Sequence, residues 1–154
     1  MAKKKVKIME GDIFILPLEN GKYAIGLVAI SAKNCILAYY FNTMLDKESD
    51  FDMDIIQKER TILIQRVSTL GFSEENWKII GKLDSFTDSV WTLPNFKQYL
   101  DLSKCCISIS YNLKLEEISR HKIDEKEASK LYPSGMAGYV YAENVLLKLL
   151  DTSA

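Results

Sequence analysis

The sequence predicts an α+β fold, either a strongly curved antiparallel sheet or a small, partly open barrel, completed by a short helix and a C-terminal helix. Apolar runs rich in strand-forming residues dominate the first two thirds of the chain, and helical periodicity enters only late. The clearest alternation sets Cys105, Ile107, Ile109, Tyr111, Leu113 and Leu115 against Ser108, Ser110, Asn112, Lys114 and Glu116, which predicts one long strand with a wet face.

The elements follow in order. A lead-in at 6–8 precedes strands at 12–16, 22–30 and 35–41, whose continuous apolar content predicts burial on both faces of a meander. Asn20-Gly21 predicts a two-residue type I′ turn, because both residues tolerate φ > 0. Pro17 cannot donate to a ladder and predicts an edge or bulge, and Gly26 predicts a bend or a close backbone approach. A further strand spans 60–67. In 77–83, Trp77, Ile79 and Leu83 fall on one face and Lys78 and Lys82 on the other, so Trp77 is expected in the core. Asp124 with Glu127 three positions on starts a short helix through Leu131, which ends before Pro133. The last helix spans 142–150, with Val145 and Leu149 on one face and Leu146 and Leu150 alongside.

The 154 residues fit a single domain, 1–154, which buries roughly two thirds or more of its unfolded surface. With 47% hydrophobic and 27% charged residues, neither disorder nor a membrane class is indicated. The start is basic but carries no export leader, so a cytoplasmic location is expected. Cys35, Cys105 and Cys106 form neither a disulfide framework nor a zinc motif and are expected as small hydrophobes. A net charge of -1 argues against non-specific nucleic-acid binding.

Gly11-Asp12, Phe14, Pro17-Leu18, Gly21 to Tyr23, and Gly26 to Val28 resemble the opening of the immunity protein 26 family. Arg66, then Trp77, Ile80 and Gly81, then Pro94 and Phe96 continue the pattern, and a closing stretch with Glu143, Val145 and Leu150 resembles the family's last helix. Leu27 departs from it, standing where relatives often carry a basic residue, and the 46–54 stretch resembles an insertion. The resemblance implies a non-enzymatic antidote that binds a cognate toxin domain of a bacterial polymorphic-toxin system, a basic nuclease being one such partner. It implies no cofactor.

Candidate contact residues are Asp46, Glu48, Asp50, Asp52 and Asp54, with Tyr40 and Trp91 as aromatic anchors nearby in sequence. A dense acidic loop steers basic partners and mimics phosphates, and Tyr and Trp are favoured at binding hot spots. The same acids lack the sixth-position Gly and twelfth-position Glu of a calcium loop. Catalytic and metal residues are none: His121 is the lone histidine, and no Gly-x-Ser-x-Gly, His-Glu-x-x-His or phosphate loop occurs. The competing functions are a barrel-like module for peptides or nucleic acid and, on the family's other labelling, a phosphotriester hydrolase.

Overall fold

The opening hairpin pairs β1 (Asp12–Pro17) with β2 (Tyr23–Ala32), and the computed structural model describes residues 7–74, 77–100 and 105–152 around it. The connection is a three-residue loop, not the two-residue turn expected. Leu18 N donates to Lys22 O (2.8 Å), Gly21 N donates to Leu18 O (3.0 Å), and Gly21 takes φ 84° while Asn20 does not adopt positive φ. A type I turn followed by a left-handed glycine bulge gives the strands the right twist with one positive φ instead of two. Pro17 pairs with Tyr23 beyond the last β1 partner on the other side, so its missing N–H breaks no rung there.

The meander continues through β3 (Cys35–Leu45) and β4 (Thr61–Ser68), and β5 (Lys78–Lys82) pairs with the other side of β1. A second group comprises β6 (Phe96–Leu100), β7 (Cys105–Tyr111) and β8 (Glu117–Ile123). Two short strands, β9 (Tyr132–Pro133) and β10 (Met136–Ala137), lie parallel to β6 and β4 respectively. The result is a six-stranded sheet, β10-β4-β3-β2-β1-β5, and a four-stranded sheet, β8-β7-β6-β9. The helices are α1 (Leu70–Glu74), α2 (Glu125–Ala128) and α3 (Tyr139–Thr152).

The expected α+β content with short helices and a C-terminal helix is present, but the sheets are not closed into a barrel. The reason lies in what covers the larger sheet. One face, with Ile13, Ile15, Leu27, Tyr39 and Phe41, packs against Phe96, Ile107, Ile109 and Tyr111 of the second sheet. The other, with Phe14, Val28, Ile36 and Tyr40, packs against Phe72, Trp77 and the Ala142, Leu146 and Leu150 stripe of α3. A sheet sandwiched in this way buries both faces without rolling up, which is why its strands are apolar at nearly every position.

Several local expectations change. The 6–8 lead-in falls partly outside the described residues, and Lys7 and Ile8 are not in a strand. In β5 a bulge puts Ile79 with Phe14 on one face, while Ile80 and Leu83 pack on the opposite one. The long strand from 105 stops at Tyr111. Asn112 Oδ1 there accepts from Lys114 N (2.9 Å) and Glu116 N (3.1 Å), and Leu115 turns left-handed at φ 61°. Burial of Leu115 in the inter-sheet core offsets that strain, and Leu113 is left exposed. Ser108, expected to be wet, is buried. In α2, Asp124 caps as expected, its Oδ1 accepting from Glu127 N at 2.8 Å. In α3 the buried stripe is Ala142, Leu146 and Leu150, leaving Leu149 exposed.

The core makes stability fall in alkali. Burial pushes the Cys35 thiol and the Tyr39 and Tyr40 phenols above their ordinary values of 9.0 and 10.0; the Glu143 carboxylate adds to the rise at Tyr40. The unfolded chain therefore loses these protons first. The stability they contribute is complete below the ordinary values and declines as pH rises through and above them. Urea midpoints taken from about pH 8 to about pH 11 are expected to drop across the upper half of that range.

Candidate functional site

The acidic segment leaves the end of β3 and runs through short 3₁₀ turns at Glu48–Asp50, Met53–Ile55 and Lys58–Arg60. Its backbone is held from below: Ile55 and Ile56 are buried in the inter-sheet core and Phe51 packs against it. Two of the acids also shape the turns, with Asp50 Oδ2 accepting from Lys47 N (3.2 Å) and Asp52 Oδ1 from Asp54 N (3.0 Å). Asp46 and Glu48 pair with Lys22 (3.5 Å) and Lys78 (3.1 Å). These exposed pairs contribute little stability. Asp46, Glu48, Asp50, Asp52 and Asp54 are all exposed along this one anchored segment, the acidic ridge.

Tyr40 and Trp91 do not join that ridge. Tyr40 is 0% exposed and Trp91 5%, and they sit in the two separate cores on opposite faces of the larger sheet. β3 is an interior strand covered on both sides, so neither Tyr39 nor Tyr40 reaches solvent. The loop carrying Trp91 folds inward, where the indole meets Tyr39 and Phe41 edge-on at 5.1 and 5.8 Å. Tyr39 Oη donates to Thr92 O at 2.5 Å, and Lys58 Nζ donates to Val90 O. Both aromatics are therefore packing residues.

A second region was not anticipated. The strap 132–138 passes from the smaller sheet, through β9, to the edge of the larger one, through β10. A groove opens on each side of it. On one side Arg66 and Lys97 line a cavity of about 410 Å³ with Tyr111 and Glu117. Arg66 stacks over the Tyr111 ring, 4.0 Å from its centroid, and its Nη1 donates to Leu115 O (3.4 Å), which clamps the two sheets together. Glu117 is held below the usual carboxylate range, chiefly by the hydrogen bond it accepts from Arg120. On the other side Gln65, Leu63, Ala137, Tyr141 and Val145 line a cavity of about 400 Å³. A signal for it existed: Gln65 is the polar residue on the face that Leu63 and Val67 make apolar, and Pro133, Ser134, Gly135 and Gly138 mark an irregular segment.

No group of three or more His, Cys, Asp or Glu among the described residues is placed to hold a metal ion, and His121 is exposed on β8. A sequence model of the immunity protein 26 family matches residues 9–105. The chain belongs to that family. No curated protein and no solved structure is a significant match. In this immunity protein 26 family member the residues that carry the resemblance are structural. Gly11 turns at φ 90° with its N–H on Val28 O (2.8 Å), Asp12 Oδ2 accepts from Met9 N (2.8 Å), and the Phe14 ring packs on both Gly26 and Trp77. They specify the scaffold and say nothing of the partner.

Proposed function

We propose that this protein is a non-enzymatic, cytoplasmic antidote that neutralises a cognate toxin domain by stoichiometric binding, with the acidic ridge of residues 46–54 steering the encounter. Family membership supports the antidote reading. The observation that carries the steering role is the ridge itself: a set of exposed carboxylates on a backbone fixed by Ile55 and Ile56 beneath it. Lys22 and Lys78 offset Asp46 and Glu48, and the excess of carboxylates at Asp50, Asp52 and Asp54 projects a field that raises association rates with a basic partner and weakens as salt is added. No helix among the described residues is long and apolar enough to cross a membrane.

Changing Asp50, Asp52 and Asp54 together to Asn tests this without dismantling the loop, because Asn keeps the acceptor oxygen each cap requires. Stopped-flow association with the toxin domain is expected to slow by about tenfold at low salt and by much less at high salt. Equal rates at low salt would remove the ridge from the encounter.

A further inference from the structure

We propose that the cavity lined by Arg66 and Lys97 receives a carboxylate, the side chain of an aspartate or glutamate on the toxin domain; the identity of the partner rests on the antidote reading above. Arg66 is half-buried and held in place. Tyr111 covers one face of its guanidinium, with Cζ 4.0 Å from the ring centroid, and Nη1 donates to Leu115 O at 3.4 Å. Nε is enclosed without an acceptor. Nη2 is neither enclosed nor matched by an acceptor among the described residues, so it is the donor left open on a residue that lines the cavity.

The charges around it do not balance. Among the described residues Arg66 forms no ion pair, and Lys97 Nζ donates to a neutral acceptor, Ala128 O, at 3.0 Å. Glu117 is the acid of the lining, and Arg120 holds it with two hydrogen bonds, at 3.0 and 2.5 Å, while Arg66 acts on it only through space. That pair cancels, which leaves Arg66 and Lys97 with neutral partners alone, and an entering anion supplies the missing charge. The planar guanidinium suits the two oxygens of a carboxylate. A phosphate brings a third acceptor, and with Nη1 tied to Leu115 O and Lys97 tied to Ala128 O the open donors are too few for it. Tyr99, 57% exposed, also lines the cavity; a residue on a partner's surface brings its neighbours over that ring, which a free small acid does not. A site that takes an acid from a partner steered by basic charge adds orientation to the encounter.

The test uses the full chain, labelled with ¹⁵N and titrated at constant ionic strength with acetate as the probe and inorganic phosphate as the control. Saturable shifts are expected at the Arg66 Nε–H and at the Ser134 and Gly135 amides, with acetate binding at least about fivefold more tightly than phosphate. Arg66→Lys, which keeps the charge and loses the planar fork, should weaken acetate by about fivefold or more. Ser134→Glu leaves Arg66 untouched and sets a carboxylate of the chain's own in the cavity. It should abolish the acetate shifts, raise the urea midpoint and, with the fold intact, lose protection of cells expressing the toxin domain, whereas Ser134→Gln, its uncharged counterpart, should keep both the shifts and the protection. Shifts elsewhere, phosphate binding as tight as acetate, or a Ser134→Gln variant as impaired as Ser134→Glu would overturn the proposal while leaving the antidote reading standing. Full protection by Ser134→Glu despite lost acetate shifts would overturn the toxin domain as the source of the carboxylate and point to a free small acid. Failure of the wild-type chain to protect any cell would instead sink the antidote reading and this proposal with it.

Discussion

Trp77→Ala is expected to lower stability by about 3 to 5 kcal/mol, a large share of what holds a domain of this size together. The indole is 3% exposed, stacked on Phe14 at 5.7 Å and 14° between planes, and set edge-on to Phe72 at 5.6 Å. Its Nε1 donates to Glu143 Oε2 at 2.7 Å, which ties the approach to β5 onto α3. Truncation thus opens a cavity between the larger sheet and its helical cover and removes a charge-assisted hydrogen bond that holds that cover. Trp77→Phe separates the two contributions: it keeps much of the ring volume and loses the N–H donor, at an expected cost of about 1.5 to 3 kcal/mol. Guanidinium unfolding read by far-ultraviolet circular dichroism supplies both numbers. A loss under about 1 kcal/mol for the alanine variant would mean that this face of the sheet is not the core described.

Gly26→Ala is expected to be costly out of proportion to the single methyl it adds. A Cβ at that position would lie 2.3 Å from Phe14 Cζ and 2.7 Å from Cε1, and Phe14 is 0% exposed with Trp77, Phe72 and Tyr40 around its ring. The ring cannot retreat without disturbing those neighbours. Overpacking at such a site costs about 1 to 3 kcal/mol or more. Phe14→Leu on its own should also destabilise, by leaving a void, yet in the double variant the space it opens accommodates the new methyl. The pair should therefore be less harmful than the sum of its parts by about 1 kcal/mol or more. Strict additivity would show that Gly26 matters for a reason other than contact with Phe14.

What could be read in the residues follows from how local the signal is. Strands β1 to β4 were legible because each is a largely apolar run bounded by turn residues, and Gly26 announced the close approach that Phe14 makes. The C-terminal helix showed its period, although the buried stripe proved to be Ala142, Leu146 and Leu150 and not the Leu149 face. β8 was missed because Glu117–Ile123 is an edge strand exposed along most of its length, with Arg120, His121 and Lys122 where an interior strand would carry apolar residues. Such charge is how an edge avoids further pairing, and it also hides the strand from a hydrophobic pattern. β9 and β10 are two residues each and exist only through parallel pairing with distant strands.

The candidate site was less legible still. Acidic residues between strands announce an exposed loop, and the ridge is one. Whether an aromatic residue faces solvent depends on what lies over its strand, which alternation does not reveal when both faces are covered, hence the burial of Tyr40; Trp91 is buried because its loop folds inward against Tyr39 and Phe41. The Gln65 groove is created by the strap, α3 and β4 meeting across about seventy residues of sequence, and the polar residue on an apolar face and the irregular Pro133 to Gly138 segment hinted at it without placing them together.

The antidote reading stands or falls on a partner. The most direct test incubates the tagged full chain with lysates of the strain that encodes it and of sibling strains, at low and high salt, and identifies what is retained. The account predicts a toxin domain held one to one, captured faster at low salt, and cells that survive its expression only when this chain is present. Retention of no toxin domain, together with turnover of a phosphotriester in a metal-supplemented assay, would contradict it.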